Sequence, residues 1–248
     1  MKLEPQEKAP LSDIRVICFD FDGVLIDSAA DMADSVNASL EQFGLQRIDT
    51  KSAVSYVGHG AKNLISKSVA HSCRLSGAEY SDELAEKVLS FYRDYYNSHA
   101  TIKTELYPGV IPFLKFLSIN DIRIALVSNK PVRSSRVILE YFNLTSFFDI
   151  VVGPELIEKI KPAPDGISLA ASTVSRLLQA IEQPGVQPEQ ILMIGDSAVD
   201  IQAARAYGAR SCGCTKGLGK KEEMLAENPD FTVQTLTELI PLFGTDCN

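Results

Sequence analysis

Two aspartates, Asp20 and Asp22 in the stretch CFDFDGV, stand two positions apart just after an apolar run. Negative charge at the end of a buried segment is costly unless something positive meets it there. Three further stretches offer matching chemistry. Ser128, Asn129 and Lys130 follow the apolar run IRIALV, Lys161 stands in EKIKPAPDG, and Gly195-Asp196-Ser197 follows ILMI, with Asp200 one helical turn further on. Gathered in one mouth, three or four carboxylates repel one another, and a hard cation such as Mg²⁺, which takes oxygen ligands, would neutralise them. Ser128 and Lys161 then supply a hydroxyl and an ammonium for the oxygens of a phosphoryl group. One carboxylate could attack phosphorus while the metal and the lysine absorb charge. A neighbouring carboxylic acid could protonate the departing oxygen and later deprotonate the attacking water. Each stretch alone is a weak signal. An isolated D-x-D reads as an acidic surface pair, Lys161 as a solvated lysine and Asp200 as a charge on a helix face.

Ligands of an open α/β sheet lie beyond the carboxyl ends of its strands, so these residues need parallel strands to collect them. The chain supplies candidates at residues 14–19, 122–128, 149–152, 191–195 and 209–214, with a shorter FTV at 231–233. Their hydrophobicity is nearly continuous rather than alternating, as expected for strands covered on both faces. Helical patterns at about 110–120, 133–142, 165–182 and 198–207 alternate with them, which predicts a layered α/β fold with a parallel sheet. Residues 28–100 read differently. Met32, Val36, Leu40 and Phe43 recur at helical spacing, with Ser28 placed to cap the start and Gly44 to end the helix. Two more helical patterns follow, one presenting Leu84, Val88 and Phe91 or Tyr92 on one face, and no strand is expected there. The aromatic cluster FYRDYY reads as helix packing. The expected organisation is a core of residues 11–27 and 101–248, a helical insertion at 28–100 and a flexible tail at 1–10.

The four stretches, in order and behind predicted strands, resemble the motifs of the haloacid dehalogenase superfamily: DFDGVLIDS at 20–28, ALVSNK at 125–130, Lys161 in KPAPDG and GDSAVD at 195–200. The resemblance covers nearly the whole chain. It implies a Rossmann-like three-layer core with a central parallel sheet, and an all-helical cap inserted after the first strand. It also implies Asp20 as nucleophile and Asp22 as general acid/base. Asp20, Asp22 through its main-chain carbonyl, Asp196 and Asp200 would serve Mg²⁺, while Ser128, Asn129, Lys161 and Gly23 would serve the phosphoryl group. Asp27 would serve the hinge into the cap. Within that superfamily, DSAADMADSVNASLEQFGL and GHGAKNLI resemble phosphoglycolate phosphatases, which makes Gly58, His59 and Gly60 candidate specificity residues. Val24 departs from the threonine common in that group, and the interval from 161 to 196 is slightly long. Sugar-phosphate or amino-sugar-phosphate phosphatase, pyrophosphatase and β-phosphoglucomutase activities therefore stay open, as does a silent phospho-ligand-binding protein. Asp22 and Asp196 argue against dehalogenation.

Composition bounds the partners. The 248 residues are 45% hydrophobic and 23% charged with a net charge of −8, which disfavours a nucleic-acid surface. A small phosphorylated metabolite is the expected partner, with no membrane and a monomer or homodimer. The opening MKLEPQEKAP has no secretory pattern, and the five cysteines at 18, 73, 212, 214 and 247 have no disulfide or zinc spacing. Cys212 and Cys214 should alternate along a strand, and a reducing cytoplasm is the expected setting.

Overall fold

The structure, a computed structural model, describes residues 11–244; the expected tail and Cys247 lie outside the described residues. In chain order the elements are β1 (Val16–Phe19), β2 (Ile26–Asp27), α1 (Ala29–Gln42), α2 (Thr50–Val54), α3 (Gly60–Ser76), α4 (Asp82–His99), β3 (Glu105–Leu106), α5 (Val110–Ile119), β4 (Arg123–Val127), α6 (Val132–Tyr141), β5 (Ile150–Val152), α7 (Asp165–Gln179), β6 (Ile191–Gly195), α8 (Ala198–Tyr207), β7 (Arg210–Cys214), α9 (Lys221–Ala226) and β8 (Phe231–Val233). Six strands form one parallel sheet in the order β5-β4-β1-β6-β7-β8.

Every residue of β1 and β6 is buried, which is what their continuous apolar runs require. The pleat divides β1 between two cores. Val16 and Cys18 join Val127, Ile167, Ala170 and Val174 on one face, whereas Ile17 and Phe19 join Phe113, Leu114 and Leu117 on the other. The sheet thus lies between two helical layers, and β1 runs between β4 and β6 with Phe19 in register with Leu126 and Ile194. The residues that follow these strands emerge side by side for that reason.

Helices α1 to α4 make the cap, with α4 packed on α1 and on α3. Met32, Val36 and Leu40 of α1 and Val88, Leu89 and Tyr92 of α4 are buried in it, and Gly44, at φ +70°, turns the chain away after α1. Ser81 caps α4 by accepting from Leu84 N at 3.1 Å. The expected cap at Ser28 takes another form. Ser28 precedes α1, but its hydroxyl makes no capping bond and donates to Asp22 Oδ1 instead, while Asp27 Oδ1 accepts from Ala29 N at 3.2 Å.

Both chain crossings between core and cap run together. Strands β2 and β3 pair antiparallel, Ile26 with Leu106 and Asp27 with Glu105. Buried Asp31, in the first turn of α1, accepts from the backbone N–H of Ile102, Lys103 and Thr104 and from the Thr104 hydroxyl. The return crossing is therefore fastened to the helix begun by the outgoing one. Among the described residues no helix is long and apolar enough to cross a membrane.

Candidate active site

Asp20 continues β1 by one residue, because its N–H donates to Ile194 O at 2.8 Å and so extends the pairing with β6. Its Oδ1 accepts from Phe21 N at 2.7 Å and lies 2.9 Å from Lys161 Nζ. No hydrogen bond from a described residue reaches Oδ2, which leaves one oxygen of a firmly held carboxylate open to react.

Asp196 follows β6. Its Oδ2 accepts from Leu218 N at 2.7 Å and Gly219 N at 2.8 Å, two amides of the loop after β7. Gly23 makes room for it. At φ +83° this residue occupies a conformation that favours glycine, and a Cβ there would stand 1.8 Å from Asp196 Oδ2. Asp200, fully buried in the first turn of α8, accepts from Ser197 N at 3.1 Å and Ser197 Oγ at 2.6 Å, which closes a capping box. Its Oδ1 lies 2.6 Å from Lys161 Nζ. That contact is ionic without being aligned as a hydrogen bond, so both buried atoms lack a hydrogen-bond partner among the described residues.

Asp20, Asp196 and Asp200 each offer an oxygen, all within 4.8 Å of one another. Burial pushes Asp20 up to about 6, with Lys161 opposing and Asp200 adding to the rise. Burial also pushes Asp196 up to about 8, reinforced by the charges of Asp20 and Asp200. Burial works against the charge on Lys161 as well, yet Asp20 and Asp200 outweigh it and hold the ammonium above the ordinary lysine range. One ammonium among three buried carboxylates leaves an excess of negative charge. An oxygen-seeking divalent cation fits this set, and Asp20, Asp196 and Asp200 would hold it. Bound there, Mg²⁺ would keep the carboxylates ionised and withdraw charge from phosphoryl oxygens.

A pocket of about 80 Å³ lies between this cluster and the cap. Asp20, Asp22, Ser128, Asn129, Lys130 and Asp196 line it from the core, and Val57, Gly58, Gly60, Leu64, Tyr92, Arg93 and Tyr96 from the cap. The residues singled out from sequence thus take different places around it. Ser128 faces the pocket. The Asn129 carboxamide braces it, donating to Gly58 O at 2.9 Å and Lys161 O at 3.1 Å and accepting from Lys161 N at 3.0 Å. Lys161 and Asp200 sit behind Asp20 rather than on the pocket wall. Gly58 and Gly60 are on the cap wall; His59 is exposed and is not among the lining residues. The aromatic cluster does more than pack. Tyr92 and Tyr96 are buried in the cap and also line the pocket.

Sequence reasoning placed Lys130 at the strand end without giving it a role, and did not find the amides of Leu218 and Gly219. Lys130 Nζ lies 2.9 and 3.1 Å from the two oxygens of Asp22 and donates to the Tyr96 hydroxyl at 2.7 Å. Its position directly after Ser128-Asn129 at a strand end was the available signal. For the loop, the pair of glycines in KGLGK just beyond β7 was the available signal.

Residues 17–214 match the family model for haloacid dehalogenase-like hydrolases. The chain belongs to this family. Phosphoglycolate phosphatase 1 of Pseudomonas aeruginosa is 32% identical over 228 residues, covering 92% of this chain and 79% of that protein. The phosphoglycolate phosphatase of Vibrio parahaemolyticus is also 32% identical over 228 residues, covering 92% of this chain and 95% of its own. Among solved structures, a predicted phosphoglycolate phosphatase from Haemophilus somnus 129pt is similar with a TM-score of 0.82 at 26% identity, over 93% of this chain and 98% of that one. With this aspartate cluster on this fold, the haloacid dehalogenase-like hydrolase described here is a Mg²⁺-dependent phosphatase acting on a small phosphate ester.

Proposed function

We propose that the enzyme hydrolyses 2-phosphoglycolate to glycolate and phosphate. In the first step Asp20 Oδ2 forms a bond to phosphorus, the ester P–O bond breaks, and the Asp22 carboxyl gives its proton to the departing glycolate oxygen. In the second, Asp22 takes a proton from water as the water oxygen bonds to phosphorus, and the bond to Asp20 breaks to free phosphate. Ser128 meets phosphoryl charge from the pocket wall during both, while Lys161, behind Asp20, balances the charge on that carboxylate.

The observation that carries the choice of substrate is Arg93. It lines the pocket from α4 while remaining exposed, which puts it at the rim opposite the aspartates, and among the described residues no carboxylate lies within ion-pair distance of it. Lys130, the other cation on the wall, is engaged by Asp22 and Tyr96. Arg93 is therefore the side chain available to meet a second negative group on the substrate, as the carboxylate of 2-phosphoglycolate requires. Gly58 and Gly60 lie on the same wall, so the first N–H groups of α3 are a second place for that carboxylate. The names borne by the relatives from Pseudomonas aeruginosa and Vibrio parahaemolyticus support the same substrate.

The test is kcat/KM with Mg²⁺ across 2-phosphoglycolate, ethyl phosphate, sugar phosphates, amino-sugar phosphates and pyrophosphate, repeated with Arg93→Gln. The expected outcome is a preference of at least ~10-fold for 2-phosphoglycolate, of which Arg93→Gln removes most while changing ethyl phosphate turnover by less than ~2-fold. A flat profile, or a peak on another ester, retires 2-phosphoglycolate as the substrate and leaves the phosphatase chemistry standing.

A further inference from the structure

Lys130 is among neither the residues assigned to the phosphoryl group nor those that would hold a metal, yet its ammonium is bonded to two other side chains of the site. It is 7% exposed, and its ammonium divides its bonds between the two oxygens of Asp22, at 2.9 and 3.1 Å, and the hydroxyl of Tyr96, at 2.7 Å. Ser28, fully buried at the start of the cap, donates to Asp22 Oδ1 from the other side. Asp22 is thus gripped by a lysine from the core and a serine from the crossing into the cap. The lysine is in turn fixed by a tyrosine from the cap's last helix. Without these partners Asp22 would be free to turn. It sits in the short loop between β1 and β2, and a carboxylate in such a loop has several rotamers open to it.

We propose that Lys130 and Tyr96 are positioning residues for Asp22: Lys130 aims the carboxyl group at the ester oxygen, and Tyr96 makes that aim depend on the cap being seated. Tyr96 contributes no group to the phosphorus chemistry. Its hydroxyl acts one bond away, by fixing where the ammonium sits. The arrangement gives the cap a second task beyond excluding water, because a displaced α4 would remove the tyrosine and let the acid drift from its target. The inference rests on Asp22 being the proton donor to the departing oxygen, as stated under the proposed reaction.

A positioned acid matters in proportion to how badly the leaving group needs a proton. An alkoxide needs one; 4-nitrophenolate leaves without it. The experiment is therefore kcat/KM, which reports ester cleavage, for ethyl phosphate and for 4-nitrophenyl phosphate in wild type, Tyr96→Phe, Lys130→Met and Asp22→Asn. Asp22→Asn is expected to lose ~100-fold or more on the alkyl ester and far less on the aryl ester, the range for a lost general acid. Tyr96→Phe is expected to lose ~5- to 10-fold on the alkyl ester and less than ~2-fold on the aryl ester, and Lys130→Met to show the same bias at greater depth. Removing Lys130 takes from Asp22 and Tyr96 the donor they share and can unfold the protein, so thermal melts accompany each variant and Tyr96→Phe, which keeps the ring, decides if Lys130→Met does not fold. Equal losses on both esters in a folded variant assign Lys130 and Tyr96 a packing role and overturn the inference, as does an unchanged Tyr96→Phe. If Asp22→Asn itself shows no leaving-group bias, Asp22 is not the proton donor, and both the proposed reaction and this inference fall.

Discussion

Asp196 shows how a single side chain acquires a chemical role. Its position after β6 comes from the sheet, but its orientation comes from two amides of the Leu218-Gly219 stretch and from the missing Cβ of Gly23. Adding one methyl group at Gly23 would force the carboxylate aside and would also strain a backbone at φ +83°, a conformation that costs an L-residue ~1–2 kcal/mol. Gly23→Ala is therefore expected to raise the Mg²⁺ concentration needed for half-maximal turnover by at least ~10-fold, the factor that ~1.4 kcal/mol of lost binding represents. Titrating activity against Mg²⁺, with a thermal melt to confirm folding, measures this. An unchanged half-saturation point would mean that Asp196 keeps its place without Gly23. Asp20 and Asp196 are legible in sequence because each follows an apolar run that ends a strand, and Lys161 and Asp200 are legible through the stretches KPAPDG and GDSAVD. Their partners are not. Lys130 resembles any lysine after a strand, and Leu218 and Gly219 act through backbone amides that no residue type reveals.

At the scale of elements, the crossing between core and cap depends on Asp31. Its carboxylate accepts from three consecutive backbone amides and one hydroxyl of residues 102–104, and so ties the return strand to α1. Asp31→Ala would leave those donors without partners. A buried orphaned donor costs ~1–3 kcal/mol, and Ile102 and Lys103 are near enough to the surface for water to replace part of the loss. A destabilisation of ~2–3 kcal/mol follows, which for a chain of this size lowers Tm by ~5–10 °C. Asp31→Asn, which keeps one acceptor oxygen, should lose about half as much. A melt of Asp31→Ala within ~1 °C of wild type would contradict this account of the crossing. The main strands and helices are readable because burial on one or both faces writes a period into the sequence. Strands β2 and β3 are two residues each, too short to carry any period, and Asp31 in AADMADS looks like an ordinary acid in a first helical turn. Pairing across 71 to 80 residues created both features, and only the folded chain displays it.

For the whole molecule, a chain of net charge −8 has to admit a phosphate dianion into a pocket already lined by Asp20, Asp22 and Asp196. Lys161 and Lys130 are both engaged by those acids or their neighbours, so the protein alone presents the phosphate with more repulsion than attraction. The cation must tip that balance, which makes Mg²⁺ and phosphate binding cooperative. Since the pocket lies between core and cap, a ligand filling it also bridges them and stabilises the folded chain as a whole. Mg²⁺ together with inorganic phosphate at ~100 times its Kd should add ~2.7 kcal/mol. For a chain of this size that corresponds to a rise in Tm of ~5–10 °C. Phosphate without Mg²⁺ should shift Tm by less than ~2 °C, because linkage makes each ligand's effect depend on the other. Melting curves with Mg²⁺ alone, phosphate alone and both together separate these contributions. If phosphate alone gave the full shift, the anion would be held by Ser128 and Arg93 without help. The aspartate cluster would then serve the chemical step and not the binding of the substrate.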